Sequence, residues 1–275
     1  MHALPFLLAL AIAAALAPPL TRMLRENGHT APNYRGREIP VPLGVLVPAA
    51  ALLALVPLAL VARLAPAAIF HPELAPVALY ALGVLVLGLI DDALGAGAAV
   101  RGLRGHAAAL ARGEISTGAL KAAGSLGLAL LAMDQLPLSD GRWLLAAGVL
   151  VLATHVFNLL DLRPGRSGKA FVLLGAALTI GAGVRPLWVL GLLAGPALVA
   201  CAYDLRERAM LGDTGSNLLG ALAGLWLVLS LSGTGQLIAL CLLAAIALYG
   251  ELRSISALVE RTPVLRELDS WGRPS

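Results

Sequence analysis

Two adjacent carboxylates end one of the apolar runs in this sequence. Residues 75–90 carry no charge, and Asp91 and Asp92 follow them directly. A run of about 16 apolar residues is close to the shortest that crosses a bilayer, so this one would bring both acids to a membrane surface. Adjacent carboxylates repel each other and lose hydration, so they need a cation, hydrogen-bond donors or open water nearby. The pair alone fits a solvated helix end as well as it fits a functional site.

Polar residues end other apolar runs in the same way, and this repetition favours a functional site over a solvated helix end. Asn158 and Asp161 are three residues apart, which places both on one face of a helix. Asp213 and Thr214 stand between two glycines in the segment 210–217, just before another apolar run. These residues are ordinary helix caps, but a tight turn at the glycines would also expose backbone N–H groups.

Basic residues occur close to these acids along the chain. Lys121 opens an apolar run, where it either anchors a helix at the membrane surface or contacts a phosphate group. The segment 162–170 is basic and rich in glycine, although its spacing is not that of a phosphate-binding P-loop. Its cations, Arg163, Arg166 and Lys169, either bind an anionic group of a substrate or hold the chain at the membrane surface.

The composition is that of a membrane protein. Of the 275 residues, 59% are hydrophobic and 13% are charged, and the mean hydropathy is +0.86. Continuous apolar runs exclude an alternating β-barrel and predict an all-α, polytopic protein. We expect a transmembrane helical domain over residues 1–250 and a cytoplasmic amphipathic tail over 251–275. Nine spans are predicted, at residues 3–21, 42–62, 75–90, 118–133, 142–158, 169–184, 187–203, 216–231 and 235–250.

The basic residues predict the orientation of these spans. Arg22 and Arg25 follow the first run and no basic residue precedes it, which is the reverse of a secretory signal. With the N-terminus outside and the C-terminus in the cytoplasm, 17 of the 20 Lys and Arg residues become cytoplasmic, Arg101 and Arg104 among them. The net charge of +4 then reflects membrane orientation and not nucleic-acid binding. The three exceptions are Arg63, Arg142 and Arg185.

In this orientation the acids, the asparagine, the lysine and the basic glycine turns share the cytoplasmic membrane face. Hard oxygen ligands there suit Mg²⁺, which takes one or two carboxylates and completes its shell with water and phosphate oxygens. The pattern therefore predicts Mg²⁺-assisted handling of a phosphorylated, partly lipidic substrate. A transporter is less favoured, because no Asp, Glu, Lys or Arg lies in the middle of a predicted span.

Three motifs resemble those of a known enzyme family. Leu89–Asp92, Asn158–Asp161 and Met210–Ser216 are similar, in order and spacing, to the acidic motifs of the polyprenyl-phosphate N-acetylhexosamine-1-phosphate transferases, glycosyltransferase family 4. This family includes phospho-N-acetylmuramoyl-pentapeptide transferase. The resemblance implies a multi-pass enzyme of the bacterial cytoplasmic membrane that acts in cell-wall (peptidoglycan) synthesis. A polyprenyl phosphate would attack the sugar-bearing phosphate of a UDP-sugar and release UMP.

The resemblance also implies roles for the residues. Asp213 would bind Mg²⁺ together with Asp92, and Asp91 and Asp92 would position the acceptor and the metal. Asn158 and Asp161 would hold the nucleotide sugar. The expected catalytic residues are Asp91, Asp92, Asp161 and Asp213. The expected substrate-binding residues are Lys121, Asn158, Arg166, Lys169 and Thr214.

The sequence departs from the family pattern in two places. Leu162–Gly165 follows Asp161 where the family has a second acid, and we expect the family's His-rich loop and last span to be missing, since the sequence ends at Ser275. The alternative interpretation is therefore a non-catalytic or regulatory paralogue that binds polyprenyl phosphate or nucleotide sugar. The sequence leaves open which sugar and which lipid length are used, and whether the protein forms a homodimer.

Overall fold

The computed structural model describes residues 1–65, 68–95, 105, 112–113 and 116–274, so Arg101 and Arg104 lie outside the described residues. Within them, the long helices are α1 Leu4–Glu26, α2 Leu46–Leu64, α3 Leu74–Leu94, α4 Thr117–Asp134, α5 Asp140–Leu160, α6 Arg166–Ala182, α7 Arg185–Leu205, α8 Gly212–Ser230 and α9 Gly233–Leu252. Two short helices follow, α10 Ile255–Arg261 and α11 Pro263–Ser270. A 3-10 turn, Leu43–Val45, leads into α2. The prediction of an all-α protein is confirmed.

Six helices of the described part are long and apolar enough to cross a membrane, which supports a helical membrane protein. They are α1, α2 with its preceding turn, α3, α5, α7 and α9. The other three long helices coincide with predicted spans, but their first turns carry polar residues. Lys121 lies in α4, Arg166 and Lys169 lie in α6, and Asp213 lies in α8. The number of nine spans therefore stays a prediction.

Helix α8 lies at the centre of the bundle and positions the predicted site. All of its residues from Thr214 to Val228 are buried, and it packs against α3, α5, α6 and α7. Glycines bring α5 close to it. A methyl group on Gly220 would lie 2.8 Å from the carbonyl oxygen of Ala153, and one on Gly224 would lie 3.1 Å from Leu150 Cα. Small residues are what allow two helix backbones to approach this closely.

Two more glycines fix the first turn of α8. A methyl group on Gly88 of α3 would lie 2.7 Å from the carbonyl carbon of Asp213. One on Gly44, in the turn before α2, would lie 2.6 Å from Gly215 Cα. Side-chain carbons do not approach backbone atoms at such distances, so both positions require glycine. Gly212 starts the helix with φ +71°, in the left-handed region that glycine adopts without strain. Backbone packing therefore determines where Asp213 lies.

A small hairpin joins α1 to α2. Strand β1, Thr30–Pro32, pairs antiparallel with β2, Glu38–Pro40. This pairing was not predicted from the sequence. The hairpin is attached to the loop before α8, since the Met210 N–H donates to the Pro40 carbonyl at 2.8 Å. The Glu207 carboxylate, in the same loop, is buried and accepts a hydrogen bond from Asn33 at 3.1 Å.

Contacts between loops connect neighbouring helix ends at each of the two ends of the bundle. At one end of the bundle the His2 and His71 rings stack at 4.5 Å, and Arg185 pairs with Glu73 at 2.6 Å. The other end holds the hairpin, the loop before α8 and the short C-terminal helices, which are joined by the hydrogen bond of Arg35 to the Pro274 carbonyl at 2.7 Å. The predicted site residues all lie at this second end.

Candidate active site

Lys121 is the centre of a charged network that links three helices. Its ammonium donates to Asp91 Oδ2 at 2.7 Å and to Asp213 Oδ2 at 2.9 Å. The acids come from α3 and α8, while the lysine belongs to α4. The lysine side chain is 18% exposed, so the contact is shielded from much of the solvent. A shared cation removes the repulsion that two neighbouring carboxylates would otherwise have.

Asn158, near the end of α5, adds a fourth helix to this network. Its side-chain N–H₂ donates to Asp213 Oδ1 at 2.8 Å and to Ser216 Oγ at 3.2 Å. Both oxygens of Asp213 therefore have a donor, and the orientation of this carboxylate is fixed. Ser216 is fully buried one turn after Asp213. Ser216 belongs to the motif Met210–Ser216, but no role was predicted for it, since a serine in the first turn of a helix is an ordinary capping residue.

Asp92 points to a different partner from Asp91. Its Oδ1 accepts from the Asp213 N–H at 2.9 Å, and its Oδ2 accepts from the Thr214 N–H at 2.8 Å. The Thr214 hydroxyl also donates to Asp92, at 2.6 Å. A carboxylate at a helix N-terminus satisfies free N–H groups and interacts favourably with the helix dipole. Asp92 thus caps α8, and its predicted role as a metal ligand stays a prediction. Thr214, predicted to bind substrate, holds this cap.

Asp161 lies just beyond α5 and is bound within the protein. Its Oδ1 accepts a hydrogen bond from the Ser167 hydroxyl at 2.7 Å. Burial, together with the nearby negative charge of Asp204, raises the pKa of Asp161 well above its ordinary value. Asp161 also interacts electrostatically with Asp213 and Asp92, so it lies beside the network around Lys121.

The sequence analysis missed Asp204, a buried acid at the end of α7. Its Oδ2 accepts a hydrogen bond from the Gly165 N–H at 2.6 Å. Gly165 has φ +74° and is the residue directly before α6. Its N–H group is thus bound within the protein. The available signal was the one that identified Asp91, namely an acid at the end of an apolar run.

Arg166 is held by the C-terminal segment. Its guanidinium makes two hydrogen bonds to the Asp269 carboxylate, from Nε to Oδ1 at 2.8 Å and from Nη2 to Oδ2 at 3.1 Å. Its Nη1 donates to the Ser256 hydroxyl at 3.1 Å. Only 7% of the residue is exposed. The sequence analysis predicted either substrate binding or membrane anchoring, and the structure gives Arg166 a third environment.

Lys169 is held by the same segment. Its ammonium donates to the backbone carbonyls of Leu268 at 2.8 Å, Asp269 at 2.5 Å and Trp271 at 3.1 Å. These carbonyls lie at the end of α11, where a cation satisfies acceptors that have no partner within the helix. Lys169, predicted to bind substrate, is therefore a C-terminal cap for a helix nearly 100 residues away in sequence.

Asp91 and Asp213 are the acids that fit a divalent cation best. They come from facing helices and already share the positive charge of Lys121, so a cation position exists between them. Asp92 fits less well because backbone donors occupy both of its oxygens. Among the described residues, no group of three or more His, Cys, Asp or Glu side chains is arranged to hold a metal. An ion at this place would rely on two carboxylates, water and phosphate oxygens, which is the usual coordination of Mg²⁺.

The fold and the network together define a helical membrane protein with a linked acid, lysine and amide cluster at one end of its bundle. No protein-family model matches the chain, and no curated protein is significantly similar to it. Its function therefore has to be inferred from the chemistry of the cluster.

Proposed function

We propose that this protein transfers a sugar-1-phosphate, with an N-acetylhexosamine as the expected sugar, from a UDP-sugar to a polyprenyl phosphate at the cytoplasmic membrane face. The observation that carries the proposal is the meeting of Asp91, Lys121, Asn158 and Asp213 from four helices in one network. Two carboxylates, a lysine and an amide at the end of a membrane bundle suit a substrate with phosphate groups and a lipid chain.

The transfer needs positioning more than it needs a strong base. An oxygen of the polyprenyl phosphate forms a bond to the sugar-bearing phosphorus, the bond from that phosphorus to the bridging oxygen breaks, and UMP leaves with the electron pair. A phosphate monoester is already largely ionised near pH 7, so no proton has to be removed first. Lys121 would attract the acceptor phosphate as a point charge, and Asn158 would keep Asp213 in a fixed orientation.

Asp91 and Asp213 would hold Mg²⁺, which would neutralise the diphosphate oxygens of the nucleotide sugar. Lys121 competes for the same carboxylate oxygens, because its ammonium lies 2.7 Å and 2.9 Å from them. A phosphate that draws the Lys121 ammonium away would leave the two carboxylates free. The lysine therefore couples the arrival of the acceptor phosphate to the availability of the metal site.

The proposed orientation has nine spans, with the N-terminus outside and the C-terminus in the cytoplasm. It is supported by the position of 17 of the 20 Lys and Arg residues on the proposed inner side. It is also supported by the grouping of helix ends, since His2, His71, Glu73 and Arg185 meet at the end opposite the network. Reporter fusions after Glu73 and after Lys169 should report opposite compartments. Two reporters on the same side would contradict this orientation.

The transfer is tested with purified protein, a polyprenyl phosphate, Mg²⁺ and a panel of UDP-sugars, with released UMP as the readout. We expect UMP only when both the lipid phosphate and Mg²⁺ are present. UMP that appears without the lipid would indicate hydrolysis and would contradict the transfer. The panel also identifies the sugar.

A non-catalytic paralogue that binds the same ligands is the second candidate. Two observations favour it: Asp92 has both oxygens in the cap of α8, and Arg166 and Lys169 are bound to the C-terminal segment. This candidate predicts that polyprenyl phosphate raises the melting temperature of the protein while no UDP-sugar yields UMP. Stabilisation by bound ligand together with UMP release would reject it.

A further inference from the structure

Residues 263–274 are held to the rest of the protein mostly by polar contacts. We call this segment the strap. Lys169 and Arg166 donate to the strap from α6, and Arg35 donates to it from the hairpin. Arg273 of the strap donates to the Pro164 carbonyl at 2.7 Å. The strap therefore lies directly over the basic turn before α6.

The apolar residues of the strap contribute little to this attachment. No residue of α11 is buried. The exposed fractions are 66% for Val264, 39% for Leu265, 46% for Leu268 and 75% for Trp271. The strap is therefore held mainly by ion pairs and hydrogen bonds, so a ligand that binds the same cations would compete with it directly.

Asp269 occupies the centre of a cationic site. Its carboxylate receives two hydrogen bonds from Arg166 and a third from Arg273 Nη2, at 2.8 Å to Oδ1. Lys169 contacts the backbone carbonyl of the same residue. A further cation of this turn, Arg163, is paired with Glu260 at 3.4 Å. If the strap leaves, Arg273 leaves with it, while Arg166 and Lys169 stay at the basic turn. The planar fork of an arginine binds a phosphate as it binds a carboxylate.

We propose that the basic turn with Arg166 and Lys169 is a phosphate-binding site that the Asp269 carboxylate occupies, and that a phosphate ligand displaces the strap. The ligand class is a diphosphate, as in a nucleotide sugar, and this identity rests on the proposed function. Arg166 is next to Ser167, whose hydroxyl is bound to Asp161 beside the Lys121 network. The basic turn and the acids at which the transfer is proposed to occur therefore lie at the same end of the bundle.

The test uses calorimetry to compare the affinities of the wild-type chain and of substituted variants for inorganic diphosphate. Asp269→Asn keeps the size of the side chain but removes its charge, so we expect diphosphate to bind about tenfold more tightly than to the wild type. Glu267→Gln is the matched control, because Glu267 is an exposed acid of the same helix, and it should leave the affinity unchanged. Adding Arg166→Ala to Asp269→Asn should remove the gain. Equal affinity of Asp269→Asn and wild type would overturn the proposal.

A second measurement follows the strap itself. A spin label at residue 270, in a Ser270→Cys, Cys241→Ser protein, should become more mobile when diphosphate is added. Cys241 is removed because it is exposed, whereas Cys201 is buried and remains. An immobile label at saturating diphosphate would also overturn the proposal. Neither measurement requires sugar transfer. Displacement of the strap by diphosphate can therefore be confirmed in a protein that releases no UMP, and it can be contradicted in an active enzyme.

Discussion

Two charged clusters lie at the same end of the bundle, and they are built in opposite ways. The cluster around Lys121 is formed by side chains of α3, α4, α5 and α8, whose backbones pack directly against one another. The cluster around Arg166 is completed by residues of the strap, and no residue of the strap helix α11 is buried. The first cluster is therefore fixed by the helical packing, while the second depends on ion pairs and hydrogen bonds with the strap. This difference is why we propose catalysis for the first cluster and ligand-dependent movement for the second.

The largest expected effect tests the rigid cluster through its backbone packing. A methyl group at Gly88 would lie 2.7 Å from the Asp213 carbonyl carbon, so Gly88→Ala should push α3 and α8 apart and destabilise the protein by about 3 kcal/mol. Gly127→Ala is the matched control, since Gly127 in α4 has open space around it and alanine favours a helix. Thermal unfolding of the two variants in detergent measures the difference. Equal melting temperatures would show that this packing is not as tight as described.

The next effect tests the competition between Lys121 and a divalent cation. Lys121→Met removes the positive charge from between Asp91 and Asp213 but keeps a long side chain. We expect Mn²⁺, used as a spectroscopic substitute for Mg²⁺, to bind about tenfold more tightly in this variant, a gain of about 1.4 kcal/mol. Electron paramagnetic resonance measures free Mn²⁺ directly. Lys121→Arg keeps the charge and serves as the control. Weaker Mn²⁺ binding in Lys121→Met would mean that the lysine does not occupy the cation position.

The smallest expected effect is the pH dependence of the attachment of the strap to the basic turn. Burial alone would raise the pKa of Asp269, but hydrogen bonds from Arg166 and Arg273 outweigh it and lower the pKa below the ordinary value of 3.8. A lowered pKa means that the carboxylate stabilises the docked strap above pH 3.8 and loses this effect as the pH falls through the lowered value. The label at residue 270 should therefore stay immobile from pH 7 to pH 5 and become mobile only in stronger acid.

The pH series has its own control in Asp269→Asn. This variant cannot titrate at residue 269, so its label should show the same mobility throughout the range. A wild-type strap that detaches near pH 6 would point to a group other than Asp269 as its main attachment.

Much of the fold could be predicted because apolar runs define helices directly. The predicted spans coincide with α1 to α9, and polar residues at the ends of apolar runs identified Asp91, Asn158 and Asp213. These residues meet because an alternating topology places every second helix end on the same side. Lys121 was found in the same way, from its position at the start of a run.

The contacts that depend on helix rotation could not be predicted. Asp91 and Asp92 are neighbours, and their side chains point about 100° apart on a helix. Only the rotation of α3 decides that Asp91 faces Lys121 while Asp92 caps α8. The partners of Arg166 were equally hidden, because Asp269 is 103 residues away and no local pattern links them. The hydrogen bond from the Gly165 N–H to Asp204 at the end of α7 was hidden for the same reason, because 39 residues separate the two in sequence.

We propose that the Lys121 network carries out phosphoryl transfer, and UMP release by two asparagine variants tests this proposal most directly. Asp213→Asn removes a charge from the network with little change in volume, and Asp140→Asn makes the same change at the opposite end of α5, outside the network. We expect Asp213→Asn to lose Mg²⁺-dependent UMP release while its melting temperature stays within a few degrees of the wild type. We expect Asp140→Asn to keep full activity. UMP release at the wild-type rate by a folded Asp213→Asn protein would contradict this proposal.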